Sequence, residues 1–81
     1  MGTYGDAYSV AVAAELRAER SRKQITVDAL AGATGLAKST VLNYLNAKRD
    51  IPVPALMELC QALGVSPRVI FDRAEEAIEN N

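Results

Sequence analysis

Between residues 35 and 50 the chain reads GLAKSTVLNYLNAKRD, and nearly every polar side chain in that stretch can donate a hydrogen bond. The Lys38 ammonium and the hydroxyls of Ser39 and Thr40 come first; the carboxamides of Asn43 and Asn46, then Lys48 and Arg49, follow. The apolar spacing is that of a short helix starting near Ala37 and ending near Asn46, with Val41, Tyr44 and Leu45 inward at i, i+3 and i+4. A lysine in the first turn opposes the helix dipole, at a cost of about a few tenths of a kcal/mol. Donors and cations at both ends of one short helix suit a polyanion. They contain no nucleophile with an adjacent base.

The rest of the composition narrows the chemistry further. The 81 residues hold no histidine and one cysteine, Cys60, which removes the common metal sets, the Ser/His and Cys/His nucleophile pairs and any intramolecular disulfide. No metal, cofactor or small-molecule ligand is expected, and an enzyme is the least expected class because no carboxylate pair falls in a credible pocket. No apolar run approaches the ~18 to 20 residues of a membrane span, and the N-terminus lacks the layout of a secretory signal, so a cytoplasmic protein without a membrane partner is expected. The opening Met-Gly pair lacks the nearby polybasic patch that would support acylation. Net charge is −1, but it is unevenly placed: residues 17 to 49 carry seven cations against two anions, and residues 50 to 81 carry two against six. The basic half is the candidate nucleic-acid footprint.

One domain of five helices, residues 1–81, is expected, with no repeat, long linker or strand signal. The first helix begins near Asp6 as N-cap and carries Tyr8, Val12 and Leu16 on one face, ending in the charged run RAERSRK. The second begins at Thr26, another N-cap, with Asp28 in its first turn and Val27, Leu30 and Ala31 on its apolar side. Gly35 follows, a residue that accepts the positive φ needed to end a helix abruptly and turn the chain. After the third helix, Pro52 and Pro54 introduce a fourth with Leu56, Leu59, Cys60 and Leu63 as its stripe. Gly64 closes it. Ser66 and Pro67 open a fifth, about residues 66–79, with Val65 and Ile70 spaced as a hydrophobic staple and Ile70, Ala74, Ala77 and Ile78 inward.

Two short helices joined by a glycine corner, about residues 26–46, make a helix-turn-helix whose second helix fits the ~12 Å wide major groove of B-DNA. With TVDALAGATGLAKSTVLNYLNAKR followed by PALMELCQALGVSP, the chain resembles the lambda-repressor-like family, which includes phage repressors and Cro proteins, xenobiotic-response-element type regulators and several antitoxins. The resemblance covers about residues 12 to 71 and implies an all-α, five-helix DNA-binding fold.

The resemblance also implies roles by position. Bases would be read by Lys38, Ser39, Thr40 and Asn43; phosphates would be held by Asn46, Lys48 and Arg49, with Thr26, Arg20 and Lys23 as further candidates. The side-chain types agree: lysine donates to guanine O6 and N7, asparagine pairs with adenine N6 and N7, and hydroxyls serve either. Three positions depart from the family pattern. Val27 stands where a phosphate-binding glutamine is frequent, so that contact is lost or passes to Thr26 or a backbone N–H. Ala47 replaces a common glycine, implying a different loop course. Leu45 takes the place of an acid that would pair with Arg20, leaving Arg20 for solvent or phosphate.

Plainer roles stand beside these. Tyr44 reads as packing and Cys60 as a buried inert thiol. Arg17, Arg20, Arg22 and Lys23 are either a solvated helix end or phosphate contacts. The acidic fifth helix is a solvated face, unless Val69, Phe71 or Ile78 joins a dimer contact. The function expected is sequence-specific binding to double-stranded DNA through the major groove, with repression by operator occupancy, as in a small Cro-like regulator or a repressor's N-terminal domain, either as a monomer or as a homodimer, at least on DNA. The alternatives are an antitoxin that binds a toxin and autoregulates its operon, and an interaction module that has lost DNA binding.

Overall fold

A computed structural model describes residues 3–80. Five helices make up the fold: α1 Thr3–Arg22, α2 Val27–Thr34, α3 Lys38–Leu45, α4 Val53–Leu63 and α5 Pro67–Glu79. No strand occurs among the described residues. The acylation signal expected to be weak, at Gly2, lies outside them. One start differs from the sequence reading: Asp6 is not an N-cap but sits inside the first turn of α1, where its charge still favours the dipole.

The other helix ends follow local chemistry. Thr26 is extended and its Oγ1 accepts from the Ala29 backbone N–H at 3.0 Å. Gly35 takes φ 75° and returns its N–H to the Ala31 carbonyl, and Gly64 takes φ 69° at the end of α4. Ser66 Oγ accepts from the Arg68 N–H at 3.2 Å, with Pro67 in the first turn. α3 is the exception. Its N-cap is Ala37, which offers no side-chain acceptor, so its leading N–H groups have no side-chain cap.

Leu16, Leu30, Val41, Leu59, Cys60, Leu63 and Ile70 form the fully buried centre, with Val12, Tyr44, Leu45 and Leu56 around them. Each helix contributes, as so small a chain requires. α1 packs most extensively on α5 and also against α3 and α4, while α2 packs on α3 and α4. The helix-turn-helix is thus held from behind by α1 and α4. Tyr44 is buried and belongs to the packed cluster, as its inward spacing implied. Cys60 is fully buried, and burial raises its thiol pKa, which fits an inert core residue.

In the loop after α3, Ala47 adopts φ 58°, the left-handed conformation that glycine takes most readily. A left-handed alanine costs about 1–2 kcal/mol, against about 0.5–1 kcal/mol of extra chain freedom that glycine brings to the unfolded state. Ala47→Gly is therefore expected to stabilise the fold by about 0.5–1 kcal/mol, read as a raised urea midpoint at unchanged slope. A lowered midpoint would mean that the left-handed alanine carries no penalty.

Candidate nucleic-acid interface

The outward face of α3 is assembled by its own periodicity. Val41, Tyr44 and Leu45 are buried, which turns Lys38, Ser39, Leu42, Asn43 and Asn46 away from the core. Lys38 and Ser39 are exposed, Asn43 is half-buried, and Thr40 is half-buried because it lies toward the flank of the inward stripe. Of the four expected base contacts, Lys38, Ser39 and Asn43 share one surface, and Thr40 stands at its edge. Leu42 was not singled out by its sequence. It is 38% exposed in the middle of this polar face, one helical turn after Lys38, and an apolar side chain there has a natural partner in a thymine methyl. Its signal was present in the helical wheel, hidden because leucine reads as core.

Asn46, Lys48 and Arg49 are exposed at the exit from α3. Asn46 closes the helix through its backbone N–H to the Leu42 carbonyl, and Lys48 N–H reaches the Asn43 carbonyl at 2.9 Å. The main chain of the exit loop is thereby fixed while its side chains face solvent. At the start of α2, Thr26 uses its oxygen lone pair to cap the helix and keeps its O–H free to donate outward.

Three cations at the end of α1 and in the turn after it, among them the expected phosphate contacts Arg20 and Lys23, also donate to main-chain carbonyls within the protein. Arg20 Nη1 donates to the Ile25 carbonyl at 2.8 Å, bracing the α1–α2 connection. Lys23 Nζ donates to the Leu63 carbonyl at 2.6 Å and the Gly64 carbonyl at 3.0 Å, at the C-terminal end of α4, where cations are favoured. Arg17 donates to the Leu45 carbonyl, tying α1 to the end of α3. The α1–α3 link expected to be missing, for want of an acid at 45, is thus supplied by a different arginine and a main-chain oxygen.

Glu19 is the largest departure from the reading of RAERSRK as a wet helix end. Its side chain is 7% exposed and receives Arg22 at 2.7 Å, Arg73 at 2.9 Å and Lys23 at 3.0 Å. Hydrogen bonds from Arg22 and then Lys23 outweigh the penalty of burial, Arg73 adds to them, and the carboxyl pKa falls from 4.5 to about 2. The site joins α1 to α5 beneath the charged surface.

One ion pair crosses the helix-turn-helix itself. Lys38 Nζ lies 3.1 Å from Asp28 Oδ1, with the two side chains 59% and 76% exposed. It connects the first turns of α2 and α3.

The sequence profile of the helix-turn-helix domain matches residues 11–70. The chain belongs to this helix-turn-helix domain family. The helix-turn-helix is a DNA-binding motif, and the five-helix arrangement resembles that of the lambda-repressor-like family. The fold is also similar to the crystal structure of the clp gene regulator ClgR from C. glutamicum, with a TM-score of 0.81 and 24% identity over 86% of this chain and 91% of that one. No curated protein matches the sequence. Among the described residues no helix is long and apolar enough to cross a membrane, and no group of His, Cys, Asp and Glu is arranged to hold a metal.

Proposed function

We propose that the protein is a sequence-specific transcriptional repressor that acts in the cytoplasm by occupying an operator in the major groove. The observation that carries this reading is the contrast in how its donors are used. Arg17, Arg20 and Lys23 each donate to main-chain carbonyls inside the protein, whereas Ser39, Asn43, Asn46, Lys48 and Arg49 have no side-chain hydrogen bond or ion pair among the described residues, and all lie on or beside the outward face of α3. In this reading Lys38, Ser39 and Asn43 meet base edges, with Thr40 at the margin and Leu42 against a methyl group; Asn46, Lys48, Arg49 and the Thr26 hydroxyl hold phosphates. Arg20 and Lys23 drop to a supporting role. Lys23 already spends its ammonium on two carbonyls and the Glu19 carboxylate, and Arg20 has one of its five N–H donors held by the Ile25 carbonyl.

Repression of the Cro-like kind needs nothing beyond occupancy, and two copies on half-sites one helical turn apart, ~34 to 36 Å, would double the reading surface. For the pairing surface Phe71 is a weaker candidate than Val69 or Ile78, since its ring already packs on Tyr8 with centroids 6.2 Å apart.

Selection from random duplex DNA tests the reading, followed by affinities for the winner and a scrambled duplex at two salt concentrations. The expected result is a motif bound at least about a thousandfold tighter than the scramble, its symmetry reporting one copy or two. An unenriched pool with equally salt-sensitive binding to both duplexes would overturn specific regulation and favour a partner-binding role such as an antitoxin. Arg49→Ala is expected to weaken all duplexes alike and to reduce the salt slope by about one; a sequence-dependent loss would remove Arg49 from the phosphate set.

A further inference from the structure

The Asp28–Lys38 pair is unlike the other ion pairs of the fold. The three that converge on Glu19 share a nearly buried carboxylate, whereas Asp28 and Lys38 are both largely exposed. An exposed pair of this kind adds little to stability, so holding the helices together is not its main consequence. Its position matters more. It places a negative charge 3.1 Å from the ammonium at the first position of α3, and beside the start of α2, where Thr26 presents its hydroxyl.

Resting on the reading that Lys38 contacts a base, we propose that Asp28 is a positioning residue that sets specificity by denying Lys38 to phosphate. Lysine is a flexible point charge that would otherwise follow the nearest phosphate on any duplex. With one of its three donors held by Asp28, the ammonium stays over the mouth of the groove and keeps two donors for acceptors that come to it. Guanine offers two, O6 and N7, in one place. The Asp28 carboxylate, an acceptor only, is repelled by phosphate and compatible with a cytosine amino group. Non-specific DNA gains nothing from Lys38 in this arrangement. A correctly placed G·C pair does.

Asp28→Asn removes the charge and preserves the shape. Affinity for a scrambled duplex is expected to rise roughly tenfold and its salt slope to steepen by about one, because Lys38 becomes available for one more phosphate. Operator affinity is expected to rise by no more than about threefold, so that the operator-to-scramble ratio falls and the base preference opposite Lys38 relaxes. In a Lys38→Ala background the same change should move both duplexes equally, since the ammonium through which Asp28 acts is gone. An unchanged ratio in Asp28→Asn, or the same fall in ratio without Lys38, would overturn the inference and leave Asp28 as general repulsion. A wild-type protein that shows no operator preference would instead remove the functional reading on which the inference rests, so the two failures are distinguishable. Both side chains are exposed, and an unchanged unfolding midpoint confirms that the comparison is between folded proteins.

Discussion

Glu19→Gln is expected to lower stability by about 2 kcal/mol at neutral pH and to flatten the acid limb of the stability profile. A pKa lowered from 4.5 to about 2 sets an upper bound of about 3 kcal/mol, at 1.36 kcal/mol per unit. The three cationic partners remain 54%, 37% and 41% exposed, so water stays close to the cluster and the bound is reduced to about 2 kcal/mol. Glutamine keeps the shape and one acceptor oxygen. It presents an amide N–H₂ to a cation and leaves Arg22, Lys23 and Arg73 facing one another without a counter-charge. The pH dependence has a definite sign. The folded pKa lies below the unfolded one, so between about pH 5 and pH 2 the unfolded chain binds a proton that the folded chain does not, and wild-type stability falls as pH falls through that window. The variant has no such group to protonate. Denaturation at pH 7, 4 and 2.5 should show the gap between the two proteins narrowing toward acid. A gap that stays constant would mean that the cluster stabilises through packing, not through charge.

Lys38→Ala is expected to lower operator affinity by about 1–3 kcal/mol, roughly 5- to 150-fold, and to relax preference at one base pair. The loss is large because a lysine seated on guanine O6 and N7 leaves both acceptors poorly satisfied when it is removed. Stability should change little: the side chain is 59% exposed, and its one partner, Asp28, is more exposed still. Competition binding against a panel of operators varied one base pair at a time separates the two readings of this residue. Uniform weakening across the panel would reassign Lys38 to phosphate, and an unaltered preference would remove it from the reading set.

The fold was legible at most of the helix ends whose causes are local. Thr26, Gly35, Gly64 and Ser66 end or start their helices through groups within a few residues, and the stripes of α3 and α4 repeat at the spacing that buries them. The placement of Lys38, Ser39 and Asn43 on one face followed from the same periodicity. What the sequence hid depends on distant residues. Glu19 shows i+3 and i+4 cations that any solvated helix shows; only Arg73, 54 residues away, reveals that the carboxylate lies under a second helix. Lys23 looks like a free cation until the end of α4 is brought to it, 40 residues on. Ala47 and Gln24 both adopt positive φ without being glycine or asparagine, so no residue type announced either turn. Asp28 and Lys38 each had a local explanation on their own helix, and their meeting required the corner at Gly35 to be closed.

The contact from Arg17 to the main chain at Leu45 has a consequence for how freely the sequence can drift. An ion pair between two side chains binds two positions in the gene to one another, because a change at either must be answered at the other. A carbonyl oxygen is present whatever residue is encoded, so position 45 answers only to the volume and apolarity of the core pocket it fills. Substitution there by isoleucine or methionine should leave the anchor of α3 standing, and the burden of keeping that anchor falls on a single codon, that of Arg17.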